Sequence, residues 1–127
     1  MAEISDCIFC SLTPERIIAE NDSFSAIKDG FPVTQGHVLI IPKRHVADYF
    51  GLSTDELLSM NKLLTQCRDE ITTFDPAVEG FNIGMNCGEV AGQTIFHCHV
   101  HLIPRRTGDV ENPRGGIRHL IPGKGNY

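Results

Sequence analysis

The sequence predicts an α+β fold: about five strands, mostly antiparallel, with one long helix across a face of the sheet. Three observations predict it. Only one segment, Ser53 to Phe74, carries a long helical period. Short apolar runs bounded by Gly, Pro and Asn account for the strands. Finally, His97, His99 and His101 alternate with Cys98, Val100 and Leu102, the period of two that puts three imidazoles on one strand face.

In chain order, Ile17 to Glu20 and Ser23 to Lys28 read as a hairpin, because the intervening Asn21-Asp22 pair tolerates the positive φ of a tight turn. Gly30, Pro32 and Gly36 mark a loop, which leads into a strand from His37 to Pro42, closed by the proline. Ser53-Thr54-Asp55-Glu56 is a capping box, and Leu57, Met60, Leu64, Cys67, Ile71 and Phe74 then recur at steps of three and four as one apolar stripe. Pro76 follows the helix. Phe81 to Asn86 and His97 to Pro104 are two further strands, and the tail from Thr107 to Tyr127 is rich in Gly, Pro, Arg and Asn and has no period.

With 127 residues, 41% of them hydrophobic, the chain reads as a single domain, with a core over 1–106 and an irregular tail over 107–127. A net charge of −5 recruits neither nucleic acid nor anionic lipid, although local donors still bind small phosphorylated ligands. No stretch approaches the ~20 apolar residues of a membrane helix. Met1 to Cys10 has no basic segment followed by the apolar run of a signal peptide. Five cysteines, an odd number, argue for a reducing compartment over a disulfide framework, and the expectation is a cytoplasmic protein.

Three readings compete for the histidines: structural packing, a metal site, and phosphorus chemistry. Strand geometry restricts the second, since imidazoles two residues apart are ~7 Å apart along the strand and all three would struggle to reach one ion at ~2 Å. In the third, a neutral imidazole is a good nucleophile and then a good leaving group once it carries a phosphoryl or nucleotidyl group. Gly92-Gln93-Thr94, just before the motif, offers a phosphate small polar donors.

His97-Cys98-His99-Val100-His101-Leu102-Ile103 resembles the His-φ-His-φ-His-φ-φ signature of the histidine triad (HIT) superfamily. The likeness runs on through Cys7-Ile8-Phe9-Cys10, Asp29, Gly36 to Pro42 with Lys43-Arg44-His45, Asn86 and Gly92-Gln93-Thr94. It implies a HIT-like fold, with a long helix and a short one and a sheet continued across a homodimer. It also implies hydrolysis or transfer of nucleotides at the α-phosphorus through a covalent nucleotidyl-histidine. Carried over residue by residue, it makes His99 the nucleophile, with its second ring nitrogen donating to a backbone carbonyl. His101 binds the scissile phosphate and protonates the leaving group, and His37 supports the triad. Asn86, Gln93 and Thr94 hold phosphate oxygens, Asp29 takes the ribose hydroxyls, and Ile8, Phe9, Leu12, Ile27 and Leu39 line the base pocket, although Ile27 and Leu39 read equally well as core. The ligand expected is a small nucleotide, adenine favoured.

Cys7-x-x-Cys10 alone reads as a redox pair, half of a zinc site or coincidence. The resemblance supplies two more ligands, His45 and His97, and with them a structural zinc. Between branches, the chain has no tryptophan and so lacks the Trp-containing tail of the phosphoramidate-cleaving Hint-type proteins. Its tail is similar to that of microbial hydrolases of diadenosine tetraphosphate, and Arg105, Arg106, Arg114 and Arg118 are candidates to meet a polyphosphate. The resemblance therefore ranks dinucleoside polyphosphates first. A phosphoramidate hydrolase and a nucleotide-binding regulator with feeble hydrolysis are the alternatives.

Overall fold

The computed structural model describes residues 6–127. The signal-peptide reading of Met1 to Cys10 falls in part on 1–5, outside the described residues. Five strands, β1 (Ile17–Glu20), β2 (Phe24–Lys28), β3 (Val38–Pro42), β4 (Val78–Gly84) and β5 (Val100–Arg106), form one sheet in the order β1-β2-β3-β5-β4, and every neighbouring pair is antiparallel. One helix, α1 (Thr54–Phe74), covers a face. The short helix of the expected fold is represented among the described residues by 3-10 turns, such as Pro14–Arg16 and Tyr49–Gly51. No helix described is long and apolar enough to cross a membrane.

The β1–β2 turn differs from expectation in its chemistry. No non-glycine residue described has a positive φ. Instead the Asn21 side-chain oxygen accepts from the Ser23 and Phe24 amides at 3.1 and 2.9 Å, an Asx turn that closes the chain with ordinary backbone angles. The same side chain exchanges hydrogen bonds with Ser59 of α1 at 2.9 Å, which bolts the hairpin to the helix.

The capping box forms as expected: Glu56 N–H donates to Ser53 Oγ and Ser53 N–H to Glu56 Oε1. The apolar stripe centres on Leu63 and Cys67, both buried, with Met60, Leu64 and Ile71 packed at its margins. Leu63 lay outside the predicted stripe. Phe74, inside it, is 90% exposed, because a cavity of about 510 Å³ opens between the end of α1 and Ile18 and Lys28 of the sheet.

The two C-terminal strands are displaced from their sequence limits. β4 and β5 pair from Val78 opposite Arg106 to Gly84 opposite His101, so they end together. Only His101 of the three histidines lies within β5. The backbone ahead of it pairs with a loop, Cys98 N–H donating to the Val46 carbonyl at 2.7 Å. Burial alternates from Cys98 onward, with Cys98, Val100 and Leu102 buried and His99 and His101 half-buried, whereas His97 is itself 0% exposed.

The core has two sides. Phe24, Ala26, Val38, Ile40, Val100 and Leu102 meet Leu63 and Cys67 beneath the helix. On the opposite face Phe9, Ile27, Leu39 and Ile41 form a smaller cluster closed by the N-terminal segment. Each fully buried Ile or Leu contributes roughly 1.5–3 kcal/mol, so both faces are strongly specified. Leu39 and His101 are register partners, which places the histidine on the second face.

Candidate functional site

His99 is half-buried, and its Nδ1 lies 2.8 Å from the His97 carbonyl oxygen. Only a protonated nitrogen makes that bond, so Nδ1–H donates and Nε2 is left bare. Phe9 packs edge-on against the His99 ring, with centroids 5.1 Å apart, and limits its rotation.

His37, just ahead of β3, is 3% exposed. The Val33 amide donates to its Nδ1 at 3.1 Å, so the neutral ring carries its proton on Nε2. That Nε2–H is 2.9 Å from His101 Nδ1 and 3.3 Å from Asp29 Oδ2. His101 Nδ1 therefore accepts, and the His101 proton sits on Nε2 at the opposite edge of the ring. Thr34 Oγ1 donating to the Pro104 carbonyl, and Arg106 donating to the Gln35 carbonyl, hold the loop that carries the Val33 amide against β5. Burial pushes both His37 and His101 below the usual histidine range. His99 and His37 add to the effect on His101, and Asp29 opposes it in both.

Asp29, His37 and His101 have ligand atoms close enough for a cation. The Val33 amide argues against one, since a metal would need a bare Nε2 on His37, the nitrogen that carries the proton. A hydrogen-bonded relay accounts for the cluster.

The other group fits a metal. Sγ of Cys7 and Cys10 and Nδ1 of His45 and His97 all lie within 4.8 Å of one another. Cys10 Sγ is 3.1 Å from His45 Nδ1 and 3.4 Å from His97 Nδ1, Cys7 Sγ is 3.4 Å from His97 Nδ1, and the two imidazole nitrogens are 3.2 Å apart. A tetrahedral zinc with bonds of ~2.3 Å to sulfur and ~2.0–2.1 Å to nitrogen puts neighbouring donors roughly 3.3–3.8 Å apart. His97 Nε2–H donates to the Pro42 carbonyl at 2.7 Å, which leaves Nδ1 bare on the side of the thiols, the orientation expected of a ligating histidine. From the protein groups alone, burial and the neighbouring Cys7 push the Cys10 thiol up to about 11, so a cation is what would hold it as thiolate.

The triad and relay geometry is thus matched by a metal-type cluster on the first histidine, and the motif extends over most of the chain. Residues 11–108 match the HIT domain family. This chain belongs to the HIT family. A HIT-like protein of Mycoplasma genitalium is 38% identical over 106 residues, 80% of this chain and 74% of its own length. The adenosine 5′-monophosphoramidase of Candida albicans is 34% identical over 113 residues, 84% of this HIT chain and 74% of its own. A crystal structure of a zinc-bound histidine triad family protein from Mycobacterium smegmatis aligns at 33% identity with a TM-score of 0.76, covering 84% of this chain and 80% of that one.

The remaining candidates of this HIT chain fall into three groups. Asn86 is half-buried and lines a cavity with His101, and Thr94 is exposed. Gln93, expected at a phosphate, is 3% exposed and fully engaged: Oε1 accepts from Gly88 N–H, and Nε2 donates to the carbonyls of Ala47 and Ile95. It holds the 88–95 loop and has no donor left over. In the base-pocket set Ile27 and Leu39 are core, 0% and 6% exposed, Phe9 is 6% exposed, and Ile8 is 57% exposed. Ile27 touches a ligand only if that cluster opens. Asp29, expected at the ribose, accepts from Phe31 N–H at 2.7 Å through Oδ1 and faces the histidine pair through Oδ2.

The four arginines assigned to a polyphosphate have partners in the chain. Arg105 forms a fork on Asp109 at 2.8 and 2.9 Å and reaches Asn82 Oδ1, and Arg106 holds Asp75. Arg114 and Arg118 both lie over the Tyr127 ring, 4.8 Å from its centroid. Sequence reasoning missed the Val33 amide and the Pro42 carbonyl, because backbone groups leave no mark in residue type.

Proposed function

We propose that this protein is a nucleotide hydrolase acting at the α-phosphorus through a covalent nucleotidyl intermediate on His99. The observation that carries the reading is the His99 Nδ1–His97 carbonyl bond, which leaves Nε2 as a free nucleophile. Nε2 attacks phosphorus as the bond to the leaving group breaks, and the His37–His101 pair, in the form that holds one proton more than the neutral pair, gives a proton from His101 Nε2 to that group and is left neutral. Water then displaces His99 and returns a proton to the pair, releasing a nucleoside monophosphate. Asn86 and Thr94 stabilise the phosphate oxygens. A carboxylate accepts about four hydrogen bonds, so Asp29 serves the ribose hydroxyls as well as the histidine pair. The base, adenine favoured, lies against Ile8 and the rim of the Phe9 cluster.

Two substrate classes were expected, with polyphosphates first. The internal pairing of Arg105 and Arg106 withdraws their support from that class, and the likeness to the Candida phosphoramidase favours a P–N bond. The reading adopted is a nucleoside phosphoramidate hydrolase.

Cys7, Cys10, His45 and His97 would hold a structural zinc that ties the N-terminal segment to the first triad histidine. The outer edge of β4, unpaired among the described residues, is assigned to a second copy, giving a ten-stranded sheet. Free cysteines throughout the described residues suit a reducing compartment, and the cytoplasm is the assignment.

Turnover of adenosine 5′-phosphoramidate and of diadenosine tetraphosphate, by wild type and His99→Ala in parallel, tests the function. Faster cleavage of the phosphoramidate, abolished in the variant, supports it. Faster cleavage of the polyphosphate reverses the substrate assignment, and no turnover of either favours a binding regulator.

A further inference from the structure

The loop over 29–37 carries His37 at its end and closes on itself. Asp29 N–H donates to the His37 carbonyl at 3.0 Å, and His37 N–H donates to the Thr34 carbonyl at 3.2 Å. Two side-chain bonds then fasten the loop to β5. Thr34 Oγ1 donates to the Pro104 carbonyl at 2.7 Å, and Arg106 Nη2 donates to the Gln35 carbonyl at 2.9 Å. Arg106 is itself fixed, since Asp75 Oδ2 at the end of α1 accepts from its Nε and Nη2 at 3.2 and 2.8 Å. Gly36 has a φ of +90°, and a Cβ there would stand 3.4 Å from Pro104 Cγ, so glycine brings the loop against the strand.

What this clamp positions is the Val33 amide, 3.1 Å from His37 Nδ1. A ring nitrogen that accepts from an amide N–H has no place for a proton of its own, because two N–H groups would then face each other. That decides where the acid form of the histidine pair keeps its charge. The neutral pair holds two protons on four ring nitrogens, and the acid form holds three. With His37 Nδ1 barred, the three sit on His37 Nε2, His101 Nδ1 and His101 Nε2, and His101 is the imidazolium. Asp29 Oδ2, 3.3 Å from His37 Nε2 and 3.8 Å from His101 Nδ1, is the acceptor to which both inner N–H groups turn. Without the amide, the third proton settles on His37 Nδ1, and the 2.9 Å bond between the two rings persists. His101 is then a neutral ring, a far weaker acid towards a leaving group than an imidazolium.

We propose that Thr34 and Arg106 are positioning residues for the acid of the reaction: by holding the 29–37 loop on β5 they keep the Val33 amide on His37 Nδ1 and reserve the charge of the pair for His101. The inference rests on the acid role given to the pair above. Both side chains act through a backbone amide. A hydrogen bond that favours the neutral form lowers a pKa, so loss of the amide raises that of the pair. The charged and titratable groups around His37 are Asp29 beyond β2, His101 of β5 with His99 beside it, and, across the cavity of about 510 Å³ at the end of α1, Lys28, Glu70 and the Asp75–Arg106 pair. Thr34→Val alters none of these and keeps the shape of the side chain. Arg106→Gln removes a positive charge, which by itself raises the pKa of the pair. The uncharged variant therefore carries the pH readout.

The test uses the full-length protein labelled with nitrogen-15, at a pH where the pair holds three protons. Imidazole nitrogen shifts separate protonated from bare ring nitrogens. Expected in wild type is a bare Nδ1 on His37 beside a doubly protonated His101. In Thr34→Val and in Arg106→Gln the proton is expected on His37 Nδ1. Kinetics on adenosine 5′-phosphoramidate give the second readout. Thr34→Val lowers kcat about tenfold or more, a part of the ~10²–10⁴ that a general acid supplies, with KM close to that of wild type. The alkaline limb of its kcat/KM profile moves to higher pH. Thr34→Ser, which keeps the hydroxyl, restores both the rate and the limb.

A protonated His37 Nδ1 in wild type overturns the proposal, and so does a bare one in either folded variant. A lower kcat in Thr34→Val with the limb and the His37 shifts unmoved also overturns it, by making the clamp a support for the fold alone. Melting curves show which variants are folded in the assay, and Arg106→Gln carries the spectrum by itself where Thr34→Val is not. Turnover that persists in His99→Ala takes down the covalent reading, while the spectrum still decides where the proton sits.

Discussion

His99 Nδ1 is 2.8 Å from the carbonyl oxygen of His97, so the residue that anchors one end of the metal-type cluster also fixes the tautomer of its neighbour. One backbone carbonyl joins a structural element to a reactive one. On this geometry His99→Ala lowers kcat by at least about a thousandfold, a loss of roughly 4 kcal/mol of transition-state stabilisation. Acid quenching of wild type during turnover, followed by mass spectrometry, should find the nucleotidyl group on the peptide that carries His99. An adduct on His101 instead would reassign the nucleophile.

Removing one thiol from the cluster separates structure from chemistry. Cys10 faces both His45 and His97, so Cys10→Ala is expected to reduce bound zinc to well below one per chain and to cost about 3 kcal/mol, or roughly 10 °C in Tm. Elemental analysis and calorimetry measure the two losses. The protein that remains folded keeps most of its kcat, because no reacting atom touches the metal. Complete loss of turnover with an unchanged melting curve would contradict a structural metal.

The sheet, the long helix and the triad were legible because each rests on local pattern: a cap at Ser53, a period of 3.6, a period of two. Strand limits were less so, since β4 and β5 end where their partner ends and not where the apolar run does. Phe74 shows the same limit, for it keeps the helical spacing yet faces a cavity, and spacing says nothing of what lies opposite. At the site, side-chain identity picked out His37, His99 and His101, whose rings the structure brings together, but not where Gln93 spends its bonds, on Gly88, Ile95 and the Ala47 carbonyl. The tail was opaque, because its shape comes from Arg114, Arg118 and Tyr127 meeting across a glycine crossing, with no repeating pattern to read.

The carboxylate beside the histidine pair makes a prediction about pH. Asp29 Oδ2 is 3.3 Å from His37 Nε2 and 3.8 Å from His101 Nδ1, and its charge raises both imidazoles against the lowering effect of burial. On the proposed mechanism the pair acts as an acid in its protonated form, so activity is expected to fall as pH rises through its pKa. Asp29→Asn removes the opposing charge, lowers that pKa, and shifts the alkaline limb of the kcat/KM profile to lower pH. The position of the limb is the readout, which a simple loss of ribose binding would not move. A profile lowered in height but unmoved along the pH axis would confine Asp29 to the ribose.

Glu56 caps α1 and pairs with Arg44 through bonds of 3.1 and 2.7 Å. The guanidinium holds its carboxyl at about 2 in spite of burial, with the Ser53 cap adding to the effect. A carboxyl whose pKa is lower folded than unfolded stabilises the protein fully above the unfolded value, and that stability is lost as pH falls through the folded one. Arg44 is half-exposed, so solvent screens the pair and keeps its contribution small. Glu56→Gln is therefore expected to lower Tm at pH 7, by a small amount because the pair is screened. The deficit relative to wild type should shrink steadily as pH falls from ~4.5 toward 2, where the wild-type carboxyl also becomes neutral. Denaturant melts of both proteins across that range measure it. A deficit constant with pH would mean that Glu56 acts through its cap on Ser53 and not through its charge.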